Sequence, residues 1–274
     1  MQCILTALKA ESDPLIASFN LVRSSSFNFP VFVNGTEELY LIGLGVGKSK
    51  VEYRIKKFID KINEPLMQFI NIGVAGSNQS FSEIGEIFLI NKITDEQFGH
   101  FYYPDILIDH SMMESDIVTV MDMVNDKDNI YDSLVDMEAS EIFRVCSPMI
   151  PIHNIAFIKI VSDHMEMDLT SFNGTLISSF ITDKLDLIKI FLDRFKHLLK
   201  IARPILSQMD IDWVHKSKEQ LLLTDTQTKQ LKDKARFYRL RNGSHSLPII
   251  KYDKPSSKLE RKRFFKDICE VLTK

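Results

Sequence analysis

The sequence predicts an α/β protein that ends in a small helical extension. Short apolar or β-branched runs alternate with stretches of helical spacing over about the first 200 residues, which is typical of a sheet covered by helices. The remaining residues show helical spacing only. Charge divides in the same way, because residues 214–274 hold 16 basic and 7 acidic residues, whereas residues 1–213 hold 18 and 30. We therefore expect an acidic α/β domain, residues 1–205, and a basic helical extension, residues 206–274.

The predicted strands are short runs of apolar and β-branched residues. They are residues 4–8, 38–44, 69–72, 84–93 and 155–161. The helices predicted between and after them are residues 12–19, 49–61, 135–146 and 177–206. Pro14 falls in the first turn of the first helix, and Pro204 is expected to break the last. Residues 219–223, 226–241 and 256–272 are predicted to be the helices of the extension.

Composition excludes several classes of protein. Cys3, Cys146 and Cys269 are too far apart in sequence for a CxxC metal pair and too few for a disulfide framework. No apolar run approaches the roughly 18 residues that a membrane helix needs, and the N-terminus lacks the features of a signal peptide. We expect a cytoplasmic protein that needs no metal or other cofactor and does not contact a membrane.

Familiar catalytic motifs are missing from the sequence. Gly43, Gly45 and Gly47 precede Lys48, but the run is too short for the phosphate loop GxxxxGK[ST] and does not fit GxGxxG. The histidines form no HExxH pair, and no GxSxG segment is present. The glycine run is better explained as a tight turn between a strand and a helix.

Three acidic residues lie where strands or helices are predicted to begin or end. They are Glu11, Glu138 and Asp163. Functional groups of α/β proteins gather at the carboxyl ends of strands, so these carboxylates could share a site. Each also has an ordinary structural explanation: Glu11 as a helix N-terminal carboxylate, Glu138 as an exposed helical residue, and Asp163 as a cap.

Four segments, in order, resemble the superfamily of purine nucleoside phosphorylases and 5′-methylthioadenosine/S-adenosylhomocysteine nucleosidases. They are ILTALKAES, LIGLGVGKSKV, FINIGVAGSNQSFSEIGEIFLINKITDE, and VDMEASEIFRVC followed by IKIVSDHM. The resemblance spans residues 1 to about 200. It implies a three-layer α/β/α fold around a central mixed, twisted sheet, and cleavage of the N-glycosidic bond of a purine nucleoside such as 5′-methylthioadenosine or S-adenosylhomocysteine. It also implies a homo-oligomer, a dimer or larger.

The resemblance assigns roles to the three carboxylates. Glu11 would orient and deprotonate water, and Asp163 would supply the proton that the departing purine needs at N7. Glu138 would hold the ribose hydroxyls while Met137 packs on the sugar. The other expected substrate contacts are Val46, Val74, Ala75, Gly76, Met123, Lys159 and Ser162. Met123 is the nearest candidate for stacking on the base, although a core methionine is the simpler explanation.

Hydrolysis is favoured over phosphorolysis. Phosphorylases of this superfamily place a phosphate-binding arginine where this chain has Asn71. Two departures leave other outcomes open. Lys159 replaces an arginine of the nucleosidases and could hold an anion, and Val74 replaces a serine or threonine. A phosphorylase, or a non-catalytic relative that binds a nucleoside or nucleic acid, therefore remains an alternative.

The basic extension could neutralise nucleic-acid phosphates, but it contains no known nucleic-acid motif. Its helically spaced basic residues are Arg236, Arg239, Arg241, Arg261, Lys262 and Arg263. Docking on the acidic domain or on another subunit is the favoured explanation.

Overall fold

The computed structural model describes residues 1–36, 38–45, 48–62, 64, 67–124, 130–165, 173–201, 205–242, 246–249, 252 and 254–273. The chain divides into two compact units, Met1–Ala202 and Arg203–Lys274. No helix among these residues is long and apolar enough to cross a membrane.

The first unit is built on one mixed sheet. Its strands are β1 (Gln2–Thr6), β2 (Val22–Arg23), β3 (Val31–Val33), β4 (Leu39–Gly43), β5 (Gln68–Gly76), β6 (Ile87–Asp95), β7 (His100–Tyr102), β8 (Met113–Thr119), β9 (Leu134–Asp136) and β10 (Ile155–Asp163). The strand order is β10-β6-β8-β9-β5-β1-β4-β3-β2, with β7 paired to β6. Because β5 also pairs with β10, the first five strands in this order close into a ring. Strands β1, β5 and β10 run parallel to one another.

Helices cover both faces of the sheet. They are α1 (Lys9–Ser18), α2 (Lys48–Ile62), α3 (Ala139–Cys146), α4 (Gly174–Asp183) and α5 (Leu185–Ile201), with a short 3₁₀ turn at Ile152–Asn154. Side chains alternate between faces along a strand, so Leu5 packs in the core that α2 and α3 cover, whereas Ile4 packs in the core that α5 covers. This arrangement confirms the predicted three-layer α/β/α fold with its mixed central sheet.

Helix α1 begins three residues before the predicted start, so Pro14 lies inside the helix and not in its first turn. Proline has no N–H to donate to the carbonyl four residues earlier, which belongs to Ala10. The hydroxyl of Ser178 in α4 donates to that carbonyl at 2.8 Å. A tertiary contact therefore makes the proline tolerable, which the local sequence could not indicate.

Other boundaries also differ from the sequence predictions. The segment predicted as helix 135–146 starts with the end of β9, and α3 begins only at Ala139. The helix predicted at residues 177–206 is two helices, α4 and α5, separated at Lys184. Strands β2, β3, β7, β8 and β9 were not predicted, because most are only two or three residues long and β8 contains three polar residues in its first four.

The second unit contains three helices, α6 (Gln208–Leu221), α7 (Asp225–Asn242) and α8 (Lys258–Thr273), around its own core. Helix α6 begins well before the predicted residue 219, with Ser207 and Asp210 forming a capping box. Arg239 of α7 donates through two nitrogens to the Asp210 carboxylate, at 2.6 and 3.0 Å. This largely buried ion pair links α7 to the start of α6.

Candidate active site

A largely apolar cavity of about 280 Å³ lies where β1, β5 and β10 end. Its size is close to the lower end of the range for small-molecule sites. It is lined by nine of the residues that the sequence analysis singled out: Glu11, Val74, Ala75, Gly76, Met123, Met137, Glu138, Ser162 and Asp163. Val46 lies outside the described residues, and Lys159 is not among the described residues that line the cavity.

Glu11 is held by the turn between β1 and α1. Its Oε2 accepts hydrogen bonds from the N–H groups of Ala7 and Leu8 at 2.8 and 2.9 Å, and its Oε1 accepts one from Val74 at 3.0 Å. A Cβ at Gly73 would lie 2.8 Å from Oε1, so glycine is what lets the carboxylate approach β5. Glu11 thus stabilises the helix start and also faces the cavity.

Burial affects the ionisation of Glu11, which is only 3 % exposed. It raises the pKa of the carboxyl, while the N–H donors of Leu8, Val74 and Ala7 and the charge of Lys159 oppose the rise. A buried carboxylate with a raised pKa is a stronger base than an exposed one, and such groups cluster at functional sites.

Asp163 lies at the end of β10, beyond an irregularity in the strand. The register against β5 shifts between Val161 and Asp163, which is the signature of a β-bulge that re-aims a side chain. Its Oδ2 accepts from the hydroxyl of Ser162 at 2.6 Å, and its Oδ1 accepts from the N–H of Met165 at 2.9 Å. The carboxyl is therefore fixed in orientation while remaining part of the cavity wall.

Glu138 occupies the position just before α3, where a side chain often caps the helix. Here the Asp136 Oδ2 accepts from the N–H of Ala139 at 2.9 Å, and the Glu138 side chain makes no capping hydrogen bond. Burial and the nearby charges of Asp136 and Glu11 raise the pKa of Glu138 to about 7, against the opposing effect of Lys159. The Glu138 carboxyl is therefore available to a ligand in the cavity. Glu138 is not the ordinary exposed helical residue that was the alternative explanation.

Lys159 forms an ion pair at 2.7 Å with Asp136, which is one of the residues that line the cavity. Lys159 is 2 % exposed. Burial by itself would lower the pKa of Lys159, but Asp136, Glu138 and Glu11 outweigh that effect and raise it. The ammonium is therefore charged, and its partner is Asp136.

Further hydrogen bonds extend from this pair into the interior. The Thr119 hydroxyl donates to Asp136 at 2.7 Å and accepts from the N–H of Ser140 at 3.0 Å. The Ser140 hydroxyl donates to Asp95 at 2.9 Å. Asp136 was not predicted as part of the site. The signal for it was the buried lysine itself: Lys159 lies inside an otherwise apolar strand and needs an acidic partner, and Asp136 is two positions before Glu138.

Asn71 and Met123, two further positions of the sequence predictions, are also described by the structure. The Asn71 amide donates to the carbonyl of Leu5 at 3.0 Å and is buried, so it supports the sheet beneath the cavity. Met123 is 52 % exposed and lines the cavity, so it is not a core methionine. In the described ranges, no group of three or more His, Cys, Asp or Glu side chains could hold a metal ion.

Comparisons with known proteins agree on the fold. No protein-family model and no curated protein sequence matches the chain. Among solved structures, it is similar to a 5′-methylthioadenosine/S-adenosylhomocysteine nucleosidase from S. pneumoniae, with a TM-score of 0.59, 17 % identity, and coverage of 71 % of this chain and 99 % of that one. It is also similar to futalosine hydrolase of Helicobacter pylori, with a TM-score of 0.54, 17 % identity, and coverage of 70 % and 97 %.

A further similar structure is a nucleosidase from Chlamydia trachomatis, with a TM-score of 0.56, 17 % identity, and coverage of 70 % and 98 %. The predicted resemblance to the nucleoside phosphorylase and nucleosidase superfamily is thereby confirmed at the level of the fold.

The first prediction concerns the buried ion pair. Replacing Asp136 with asparagine leaves the Lys159 charge unpaired in the interior, so we expect Asp136→Asn to lower the free energy of unfolding by about 3–5 kcal/mol. Urea unfolding followed by circular dichroism measures this, while the fluorescence of Trp213, the sole tryptophan, monitors the second unit.

The matched control is Asp116→Asn, which removes the partner of Lys92 from a partly exposed pair at 3.3 Å. We expect that substitution to cost less than about 1 kcal/mol. Equal effects of the two substitutions would contradict the importance assigned to Asp136.

Proposed function

We propose that this protein is a nucleosidase that hydrolyses the N-glycosidic bond of a purine nucleoside, such as 5′-methylthioadenosine or S-adenosylhomocysteine. The observation that carries the proposal is that one cavity collects Glu11 from the first turn of α1, Glu138 from the start of α3 and Asp163 from the end of β10. Each carboxylate has a different set of partners, so each can take a different role in acid–base chemistry.

The departing base needs a proton, and Asp163 is the candidate donor. As the bond between C1′ and the purine nitrogen breaks, its electron pair moves into the base, and protonation at N7 neutralises the resulting charge. The Ser162 hydroxyl and the Met165 N–H hold the Asp163 carboxyl in a fixed orientation. Preorganisation of this kind lowers the barrier because nothing needs to move when charge develops.

The sugar acquires oxocarbenium character as the base departs, and nearby carboxylates stabilise that positive charge. Glu138 is free of capping contacts and can accept hydrogen bonds from the ribose hydroxyls, with Met137 beside it. Glu11 is the candidate base that takes a proton from water as its oxygen bonds to C1′. The products are the free purine and a ribose derivative.

Water is favoured over phosphate as the nucleophile. The cavity wall contains no lysine or arginine among the described residues, and Lys159 is occupied by Asp136. The carboxylates of Glu11, Glu138 and Asp163 would repel a phosphate dianion, whereas they tolerate neutral water.

The similar structures include both 5′-methylthioadenosine/S-adenosylhomocysteine nucleosidases and a futalosine hydrolase. The apolar side of the cavity, formed by Val120, Val135 and Met165 with Met123 nearby, supports an aromatic base or an alkylthio group as the ligand portion there. We further propose that the protein works in the cytoplasm as a homo-oligomer.

The proposed activity is tested by chromatographic assay of free base after incubation with a panel of purine nucleosides, with and without phosphate. We expect release without phosphate, slowed about 10²- to 10⁴-fold by Asp163→Asn and by Glu11→Gln. The control Asp183→Asn, at the exposed end of α4, is expected to react like the parent protein.

Three results would contradict this proposal in different ways. Release only with phosphate would identify a phosphorylase. Thermal stabilisation by a nucleoside without base release would identify a binding protein. Full activity of Asp163→Asn would remove the assigned proton donor.

The pH dependence tests Glu138 separately. Because the ionised carboxylate is the form that accepts hydrogen bonds from ribose, we expect kcat/KM to rise as pH increases through about 7. Glu138→Gln is neutral at every pH, so its lower kcat/KM is expected to lack this step, whereas Asp183→Asn keeps it. A step near pH 7 that survives in Glu138→Gln would show that another group controls it.

A further inference from the structure

The second unit has a groove between α7 and α8, on the side that its core does not use. The core of the unit takes Leu231 and Ala235 from α7, and Ile268 and Leu272 from α8. The α7–α8 groove has a volume of about 570 Å³. The lining residues that matter here are Asp233, Lys234, Phe237, Lys262, Phe265 and Lys266.

Two phenylalanines form the apolar part of the groove. Phe237 is 62 % exposed, while Phe265 is half-buried against the core. Other aromatic side chains of this unit have partners inside it: Tyr252 stacks on Phe264 with centroids 4.6 Å apart, and Trp213 donates to the carbonyl of Pro248. The Phe237 ring is thus a large aromatic face that is available to a ligand.

The lysines of the groove are also available. In the described part of the unit, Lys234 and Lys262 form no ion pair, and Lys266 lies 3.7 Å from Glu270 in an exposed pair of the kind that contributes little. Asp233 is the acidic residue of the lining. Its Oδ1 lies 3.8 Å from Nη1 of Arg236, a residue that does not line the groove. The groove therefore presents a net positive charge.

Some basic residues of the unit have structural roles instead. Arg239 is paired with Asp210, and Arg241 donates to the carbonyls of Leu272 and Thr273 at the end of α8. Residues 203–274 nevertheless hold 17 basic and 9 acidic residues, so a field attractive to anions surrounds the groove.

We propose that the α7–α8 groove binds single-stranded nucleic acid, with bases stacking on Phe237 and Phe265 and phosphates contacting Lys234, Lys262 and Lys266. Aromatic faces beside a positively charged groove are the combination by which proteins hold single strands without sequence preference. Duplex bases are already stacked on one another, so they cannot stack on Phe237 or Phe265 without unpairing. An acidic amphipathic helix would need a row of aliphatic side chains to pack against, whereas the large apolar side chains of this groove are the two phenylalanines, Phe237 and Phe265.

The test measures fluorescence anisotropy of a labelled oligothymidylate of roughly 15 nucleotides with the full-length chain. We expect Phe237→Ala to weaken binding about fivefold or more, and Phe237→Tyr, which keeps the stacking face, to bind like the parent protein. Because Phe237 is exposed, its replacement should leave circular dichroism and base release unchanged, which separates this site from the proposed active site.

Salt dependence tests the lysines. Replacing Lys234, Lys262 and Lys266 together with glutamine should make the slope of log K against log salt shallower by about 2, since each phosphate contact of a single strand contributes about 0.7. The matched control replaces three exposed lysines outside the groove with glutamine, so that the net charge changes as much as in the groove variant. These lysines are Lys216, Lys229 and Lys232. We expect the control variant to keep most of the parent protein's affinity for the oligothymidylate and most of the slope of log K against log salt concentration.

Several outcomes would overturn the proposal. They are no binding at low salt, equal loss in both lysine variants, full binding by Phe237→Ala, and tighter binding of a duplex than of the single strand. Binding of an acidic amphipathic peptide in place of the oligonucleotide would assign the groove to a protein partner.

Discussion

The ion pair between Lys159 and Asp136 is the interaction on which the cavity depends. Taking two charges out of water is costly, and the cost is offset only when each charge is well partnered. Asp136 meets this condition, because Lys159, Thr119 and the N–H of Ala139 all donate to it. Since the same carboxylate caps α3, it fixes where that helix starts. It thereby determines where Glu138 meets the cavity.

The pair also determines the charge of the cavity. Lys159 lies behind the wall, where it offsets the charges of Glu11 and Glu138 without facing a ligand. The cavity itself is left with carboxylates and apolar side chains. That environment suits a neutral nucleoside whose sugar becomes positively charged during bond cleavage, and it disfavours a bound anion. The buried Lys159 ammonium is thus partnered by a short, buried acidic side chain, Asp136.

Much of the fold and part of the site could be predicted from the sequence. Alternating strands and helices indicated the α/β class, and the four segments led to Glu11, Glu138 and Asp163. Contacts between distant segments could not be predicted: Asp136 meets Lys159 only through the sheet pairing, and Pro14 is tolerated only because Ser178 bonds to Ala10.

In the second unit, sequence spacing grouped the basic residues. Only the packing of α7 on α8 separates structural arginines, such as Arg239, from the lysines of the groove.

In the proposed complex, Glu11, Glu138 and Asp163 surround a purine nucleoside while Lys159 stays with Asp136. A crystal structure of the protein with a non-hydrolysable purine nucleoside analogue tests this arrangement. We expect the purine beside Asp163, the ribose hydroxyls within hydrogen-bond distance of Glu138, and an intact Lys159–Asp136 pair. An analogue bound elsewhere, or a Lys159 that leaves Asp136 to contact the ligand, would contradict it.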